Sequence, residues 1–247
     1  MRALLLMSVL LRLNAFAFHQ DPLKVAPDAY KLQFENEWVK VTRVHYGPRA
    51  RVPLHDHSRW PAAYVYLNDS GPVLFRHAGW EHPVLTRPAT KARSFRLSPT
   101  TAVGETHEVE NPSNTPSDFL RVEFKTRPAD SNSMRGRFYP ARYRAGSYFR
   151  KVHFENGQLR VTRLACPPGR SLNVAANSSE PALLVLLPSA RRNSFRPEAG
   201  AERAAIEAGQ TIWLDGGGRR RIENPYDAPL ELLRFDFKTG PANSFER

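Results

Sequence analysis

His55-Asp56-His57 places two imidazoles one residue apart. On a β-strand, residues i and i+2 share a face, so the pair can grip one ion. A third ligand must then come from another strand. His107, within Gly104-Glu105-Thr106-His107-Glu108-Val109-Glu110-Asn111, is the candidate. Neutral imidazoles suit one divalent transition metal (Fe, Zn, Cu, Ni or Mn), and three of them leave positions open for water, substrate or oxygen. Glu105 stands two residues before His107, so strand alternation turns it to the same face. There it is a further ligand or a general base; as an exposed turn carboxylate it is neither. Trp60, Tyr64 and Tyr66 follow the histidine pair. They line a pocket mouth, where rings stack on planar substrates, or they pack the core. On a solvated strand edge the same histidines would bind nothing, so the elements that carry them decide the chemistry.

The remaining histidines, His19, His45, His77, His82 and His153, have no ligand spacing and read as surface or packing residues. Cys166 is the only cysteine, which excludes a disulfide scaffold and leaves a buried, inert thiol. The sequence has no Gly-x-Ser-x-Gly elbow and no phosphate-cradling glycine loop.

The positioning elements come from an internal repeat. Phe34-Glu35-Asn36 with Val41-Thr42-Arg43 returns 120 positions later as Phe154-Glu155-Asn156 with Val161-Thr162-Arg163. Glu110-Asn111-Pro112 and the segment from Leu120-Arg121 to Phe124-Lys125-Thr126 return 113 positions later, from Glu223 and Leu233. Two copies are too few for a solenoid, so each is expected to close its own core. The pattern within a copy is β. Valine alternates along Trp38–Val44, and the short apolar runs Tyr64–Leu67 and Leu183–Leu187 suit strands buried on both faces. Many short strands between Pro, Gly, Asn and Ser clusters predict an all-β chain of two tandem barrels or sandwiches.

These residues resemble the cupin superfamily, and the two copies a bicupin. Gly47, His55, His57 and Gly71 follow its first motif loosely, while Gly104, His107 and Asn111 follow its second to the residue. The resemblance implies two tandem cupin-type, jelly-roll-like β-barrels and a metal held by His55, His57 and His107. The family's glutamate should fall near Pro61 to Ala63, where no ligand stands. A three-histidine site, as in some thiol and aromatic-ring dioxygenases of the superfamily, remains. At constant offset the second copy carries Ala175, Asn177 and Arg220 opposite His55, His57 and His107, so its site is degenerate. That copy is structural, a lid or homodimer surface, or an anion pocket reading through Arg219 to Arg221. One working barrel beside a degenerate one is similar to the arrangement in pirin-like bicupins.

Length and charge complete the expectations. The 247 residues carry 36 Lys and Arg against 24 Asp and Glu, a formal net charge of +12. Such a charge favours acidic surfaces or anionic ligands. No recognition motif sets basic residues among stacking aromatics, so nucleic acid is not an expected partner. Residues 1–17 have the charged start, apolar middle and small-x-small end of a secretory signal, which predicts an exported, periplasmic or secreted protein. The apolar run is too short to span a membrane. The expected organisation is a signal at 1–17, a first barrel at 18–127, an Arg-rich linker at 128–147 and a second barrel at 148–247. The expected activity is that of a dioxygenase-like metalloenzyme on a small organic substrate; the alternative is a non-catalytic barrel binding a small ligand or a metal.

Overall fold

The computed structural model describes residues 20–99, 105–188 and 207–242, so the expected export signal at 1–17 lies outside the described residues. The first copy contains β1 (Tyr30–Glu35), β2 (Val39–Tyr46), β3 (Arg51–His57), β4 (Ala62–Tyr66), β5 (Val73–His77), β6 (Val84–Arg87), β7 (Phe95–Ser98), β8 (Glu105–Glu110) and β9 (Ser117–Phe124). Within the expected linker, β10 (Gly136–Phe138) pairs with β7 and extends the first copy's sheet. The second copy contains β11 (Phe149–Glu155), β12 (Leu159–Cys166), β13 (Ser171–Ala175), β14 (Ala182–Leu186), β15 (Thr211–Leu214), β16 (Arg219–Glu223) and β17 (Leu230–Phe237). The chain is all-β, and its strand pairs are antiparallel.

Both copies follow one plan. A large sheet of order β1-β2-β9-β4-β7-β10 faces the smaller β3-β8-β5-β6 sheet in the first. In the second, β11-β12-β17-β14-β15 faces β13-β16. The repeated sequence motifs are what close the turns. Asn36 accepts from the amides of Trp38 and Val39 at 2.9 and 3.0 Å, and Asn156 from those of Gln158 and Leu159 at 2.9 and 2.8 Å. Each asparagine side chain thereby sets the hairpin between the first two strands of its copy. Asn111 and Asn224, both buried, each reach three backbone carbonyls with their amide nitrogens, between 2.8 and 3.2 Å for Asn111 and between 2.9 and 3.0 Å for Asn224. They tie the end of β2 or β12 to the loop before the last strand.

Each copy has its own interior cluster, but a third apolar cluster joins them. Alternation sends neighbours on one strand to opposite sides. On β4, Tyr64 and Tyr66 face the first interior, while Ala63 and Val65 pack against the second copy. On β14, Leu184 and Leu186 fill the second interior, while Leu183 and Val185 meet the first copy. The apolar runs therefore are strands buried on both faces, and the cover on the outer face is the sister copy. Met134 and Phe138, from the connecting segment, join this shared core. Its polar content is paired: wholly buried Arg163 meets Glu231 at 2.8 Å, and Arg93 and Tyr143 meet the same carboxylate.

A shared core makes the two copies one cooperative unit. Phe235→Ala, at its centre, should cost about 3–5 kcal/mol. Urea unfolding followed by the fluorescence of Trp38 and Trp213 and by far-ultraviolet circular dichroism should give coincident transitions in the unmutated protein. Two separated transitions would show that the copies unfold independently.

Candidate metal centre

A one-residue bulge in β3 puts the histidines where they are. Arg51 and Val52 pair with Glu110 and Val109, then the register shifts, and His55, Asp56 and His57 pair with His107, Thr106 and Glu105. Val52 points inward. Without the shift, alternation would send Leu54 and Asp56 inward and the histidines outward. The extra residue reverses that parity, and Pro53, which has no N–H to give a ladder, sits within it. His55 and His57 are buried as a result, and Leu54 is exposed.

Three rings converge there. The centroids of His55, His57 and His107 lie 4.8 to 5.0 Å apart, and one nitrogen from each falls within 4.8 Å of the others. The Nε2 atoms of His55 and His57 are 3.2 Å apart. Nδ1 of His55 lies 2.7 Å from the Pro53 carbonyl, which can only accept, so Nδ1 carries the proton and Nε2 turns its lone pair inward. The Tyr30 hydroxyl, 2.7 Å from that of Tyr46, lies 2.8 Å from the same Nε2. Burial holds the Tyr30 phenol well above its ordinary pKa, so it remains a donor.

The electrostatics select neutral imidazole. Burial lowers the pKa of His55; for His57 burial and then the Arg121 charge hold it well below the ordinary value. Burial, followed by His55 and His77, brings His107 down to about 2. Neutral imidazole is the ligand form. Both ring nitrogens of His107 are buried without a hydrogen-bond partner, at a cost of about 1–3 kcal/mol for each unsatisfied group. A cation at the centre of the triad would satisfy one of them and accept the lone pairs of His55 and His57, with the Tyr30 hydroxyl turned from Nε2 to its other partner, the Tyr46 hydroxyl, so the donor set fits a transition metal.

Beside the triad lies a cavity of about 150 Å³, with Tyr64, Tyr66, Phe75, Phe119, His77 and Glu105 in its wall. Glu105 is half-buried at the start of β8, 3.6 Å from Nη1 of Arg121. That guanidinium also reaches the Tyr64 hydroxyl at 3.0 Å and Glu123 at 3.1 Å. Burial opposes its charge, but Tyr64, Glu123 and Glu105 outweigh burial and raise its pKa. Trp60 takes a different place from Tyr64 and Tyr66. It precedes Pro61 in the β3–β4 connection rather than standing on a strand, and it lines a separate cleft with Ser58 and Glu123.

His77, expected at the surface or in packing, packs beside the triad. It pairs across the β5–β8 ladder with His107, is 4% exposed, and stacks on Trp80 at 3.8 Å between centroids. Both its ring nitrogens are buried and unpartnered. Inward alternation of Val73, Phe75 and His77 along β5 was its only signal, because its neighbour in space stands 30 positions away. His45 and His82 are exposed, and His153 packs edge-on against Phe95 and Phe138. Cys166 is buried, and burial pushes its thiol up to about 11.

The second copy reaches the same inward places without a bulge, because it has one residue fewer. Ser171 to Ala175 pair with Glu223 to Arg219 in unbroken register. Val174 therefore stands opposite Arg220 as His55 stands opposite His107, and Ala176, bonded through its amide to the Gly218 carbonyl, takes the place of His57. The constant offset had named Ala175 and Asn177; the missing bulge residue moves both assignments back by one. Neither Val174 nor Ala176 can ligate, and Leu164, Leu184 and Leu232 fill that interior beside them. Arg219, Arg220 and Arg221 are exposed.

No family model and no curated protein matches the chain. Solved structures do. AerE from Microcystis aeruginosa aligns at 12% identity over 85% of this chain and 97% of its own, with a TM-score of 0.52. A single-site mutant of oxalate decarboxylase OxdC from Bacillus subtilis aligns at 11% identity over 87% and 77%, also at 0.52. A cupin domain protein from Bordetella pertussis aligns at 28% identity over 39% of this chain and 91% of its own, with a TM-score of 0.33. The fold is of cupin type.

Two outcomes follow. Deleting Leu54 should give β3 the unbroken register of β13 and leave His55 and His57 at the inward places of Val174 and Ala176, so metal binding and the far-ultraviolet dichroism should both be kept; a folded deletion variant that loses metal would show that the bulge itself shapes the ligand set. In metal-free protein the triad is neutral when folded and has a pKa of about 6.5 when unfolded. Its stability is therefore full above pH 6.5 and declines below it, by up to about 1.4 kcal/mol per unit for each such histidine. The urea midpoint should fall between pH 7.5 and 5.5, and fall less in His107→Leu.

Proposed function

We propose that the protein is a metal-dependent enzyme that acts on a small organic molecule, with dioxygenase-like chemistry as the leading reaction. The observation that carries this reading is the convergence of three buried, neutral imidazoles beside an aromatic cavity. His55, His57 and His107 would hold one divalent ion, Fe, Zn, Cu, Ni or Mn. Such an ion supplies a Lewis-acid centre with open positions and, for iron or copper, redox exchange with oxygen.

The chain's own groups do the rest. The Pro53 carbonyl fixes the His55 ring by accepting from Nδ1, so that its Nε2 keeps one direction. Tyr64, Tyr66 and Phe119 orient a planar substrate and exclude water. Glu105, anchored by Arg121, stands in the cavity wall as the general base that takes a proton from the substrate and returns it. The segment 1–17 supports export, so the reaction belongs outside the cytoplasm, in the periplasm or the medium. A second reading, a barrel that binds a ligand without turnover, is favoured by the lack of a carboxylate ligand near Pro61 to Ala63 and by the degenerate second copy.

Elemental analysis of protein purified without chelator or histidine tag tests the proposal. About one transition metal per chain is expected, reduced at least tenfold in His57→Ala and in His107→Ala. Oxygen uptake with candidate substrates then separates the two readings. A wild-type protein that holds no metal after reloading with each of the five ions would overturn the enzyme reading.

A further inference from the structure

Three arginines in the cavity wall meet no carboxylate among the described residues: Arg137, which is exposed, and Arg87 and Arg96, which are not. Arg87, at the end of β6, is 8% exposed; it donates to the Ser70 and Ser117 hydroxyls at 3.2 and 2.9 Å and lies 5.4 Å from the Tyr66 ring centre. Arg96, on β7, lies 4.4 Å over the ring of Tyr64. The Nε atoms of both are buried without a hydrogen-bond partner. Arg121, in the same wall, is by contrast met by Glu123 and Glu105. Burial lowers the pKa of Arg87, and the nearby charge of Arg96 adds to that effect. Leaving two like charges unpaired in a cavity is costly unless something else enters to meet them.

The internal repeat supplies an independent control. Tyr64 pairs with Arg96 across β4 and β7, and the corresponding ladder position across β14 and β15 pairs Leu184 with Ile212. The fold therefore needs neither the arginine nor the tyrosine at this position. Both are present in the copy that has the histidine triad and absent from the copy that lacks it.

We propose that the cavity recognises a small planar organic carboxylate, whose anionic group is held by Arg87 and Arg96 while its carbon framework lies among Tyr64, Tyr66 and Phe119. This deepens the reading of the cavity as a substrate site and names the substrate's chemical class. A guanidinium offers a planar fork that matches a carboxylate. The aromatic walls favour an organic acid over an inorganic anion, and about 150 Å³ suits a single ring or a short chain rather than a nucleotide or a sugar chain.

Calorimetric titration of the full chain with benzoate, with the neutral benzamide and with inorganic phosphate tests this. Metal content is measured on every sample. Benzoate should bind at least tenfold more tightly than either comparison compound. Arg96→Gln and Arg87→Gln should each weaken benzoate binding about tenfold or more, leaving benzamide binding and metal content unchanged. Equal binding of benzoate and benzamide, phosphate binding as tight as benzoate, or unaltered benzoate binding in both variants would overturn the proposal. Because the metal is measured separately, carboxylate selectivity that fails in metal-loaded protein counts against this inference alone. Selectivity that persists in protein unable to hold metal supports it and counts against the metalloenzyme reading.

Discussion

Everything at the site depends on how β3 absorbs one extra residue without losing its inward parity. In a strand, parity decides which side chains face the interior, and parity cannot be altered gradually. The bulge between Val52 and His55 resets it, so that Val52, His55 and His57 all face inward. The second copy lacks the bulge and keeps Leu172, Val174 and Ala176 on the inward side. The same places thus face inward in both copies, and side-chain identity, histidine against valine and alanine, separates an interior able to ligate from one able only to pack. The Pro53 carbonyl at the bulge then fixes the tautomer of the first ligand, so the irregularity both turns the ring inward and sets its protonation.

An interior of this kind carries a large desolvation penalty. It buries four histidines, Arg87 and Arg121, whereas the interior cluster of the second copy is built mainly from aliphatic side chains. Unsatisfied nitrogens on His77, His107, Arg87 and Arg96 add to the cost. The compensation lies behind the large sheet, where Val39, Val122 and Phe124 pack against Val161, Phe235 and Phe237 of the sister copy. That interface contributes apolar burial without occupying the cavity. The second copy supports the site by stiffening the back of the sheet that carries Tyr64, Arg96 and Arg121.

The sequence made legible what depends on local spacing. The pair His55 and His57, the repeat, and the two-face burial of Tyr64–Leu67 all follow from period and parity. Features set by pairing between distant segments were hidden. The bulge has no spacing signature of its own, and a constant offset through it misplaced the second copy's equivalents by one residue. His77 meets His107 only through the β5–β8 ladder. Arg87, Arg96 and Arg121 disappeared among 29 arginines that composition assigns to the solvated surface. The apolar outer faces announced a covering layer, but nothing local identified it as the other copy.

The repeat also separates residues that serve the fold from those that serve the site. Asn36 and Asn156, Asn111 and Asn224, and the lysines Lys125 and Lys238, each bonded to the turn of its own hairpin, recur because both copies must close the same turns. Even the inward Arg121–Glu123 pair has a counterpart in Arg234–Asp236. Shared residues of this kind cannot account for chemistry that only one copy is built to perform. What differs at matched ladder positions is His55 against Val174, His57 against Ala176, buried His107 against exposed Arg220, and Tyr64 with Arg96 against Leu184 with Ile212. Ligands and charge-reading groups change together. An ion held by the imidazoles and an anion held by the arginines would then meet in one cavity, each lowering the electrostatic cost of burying the other's binding groups.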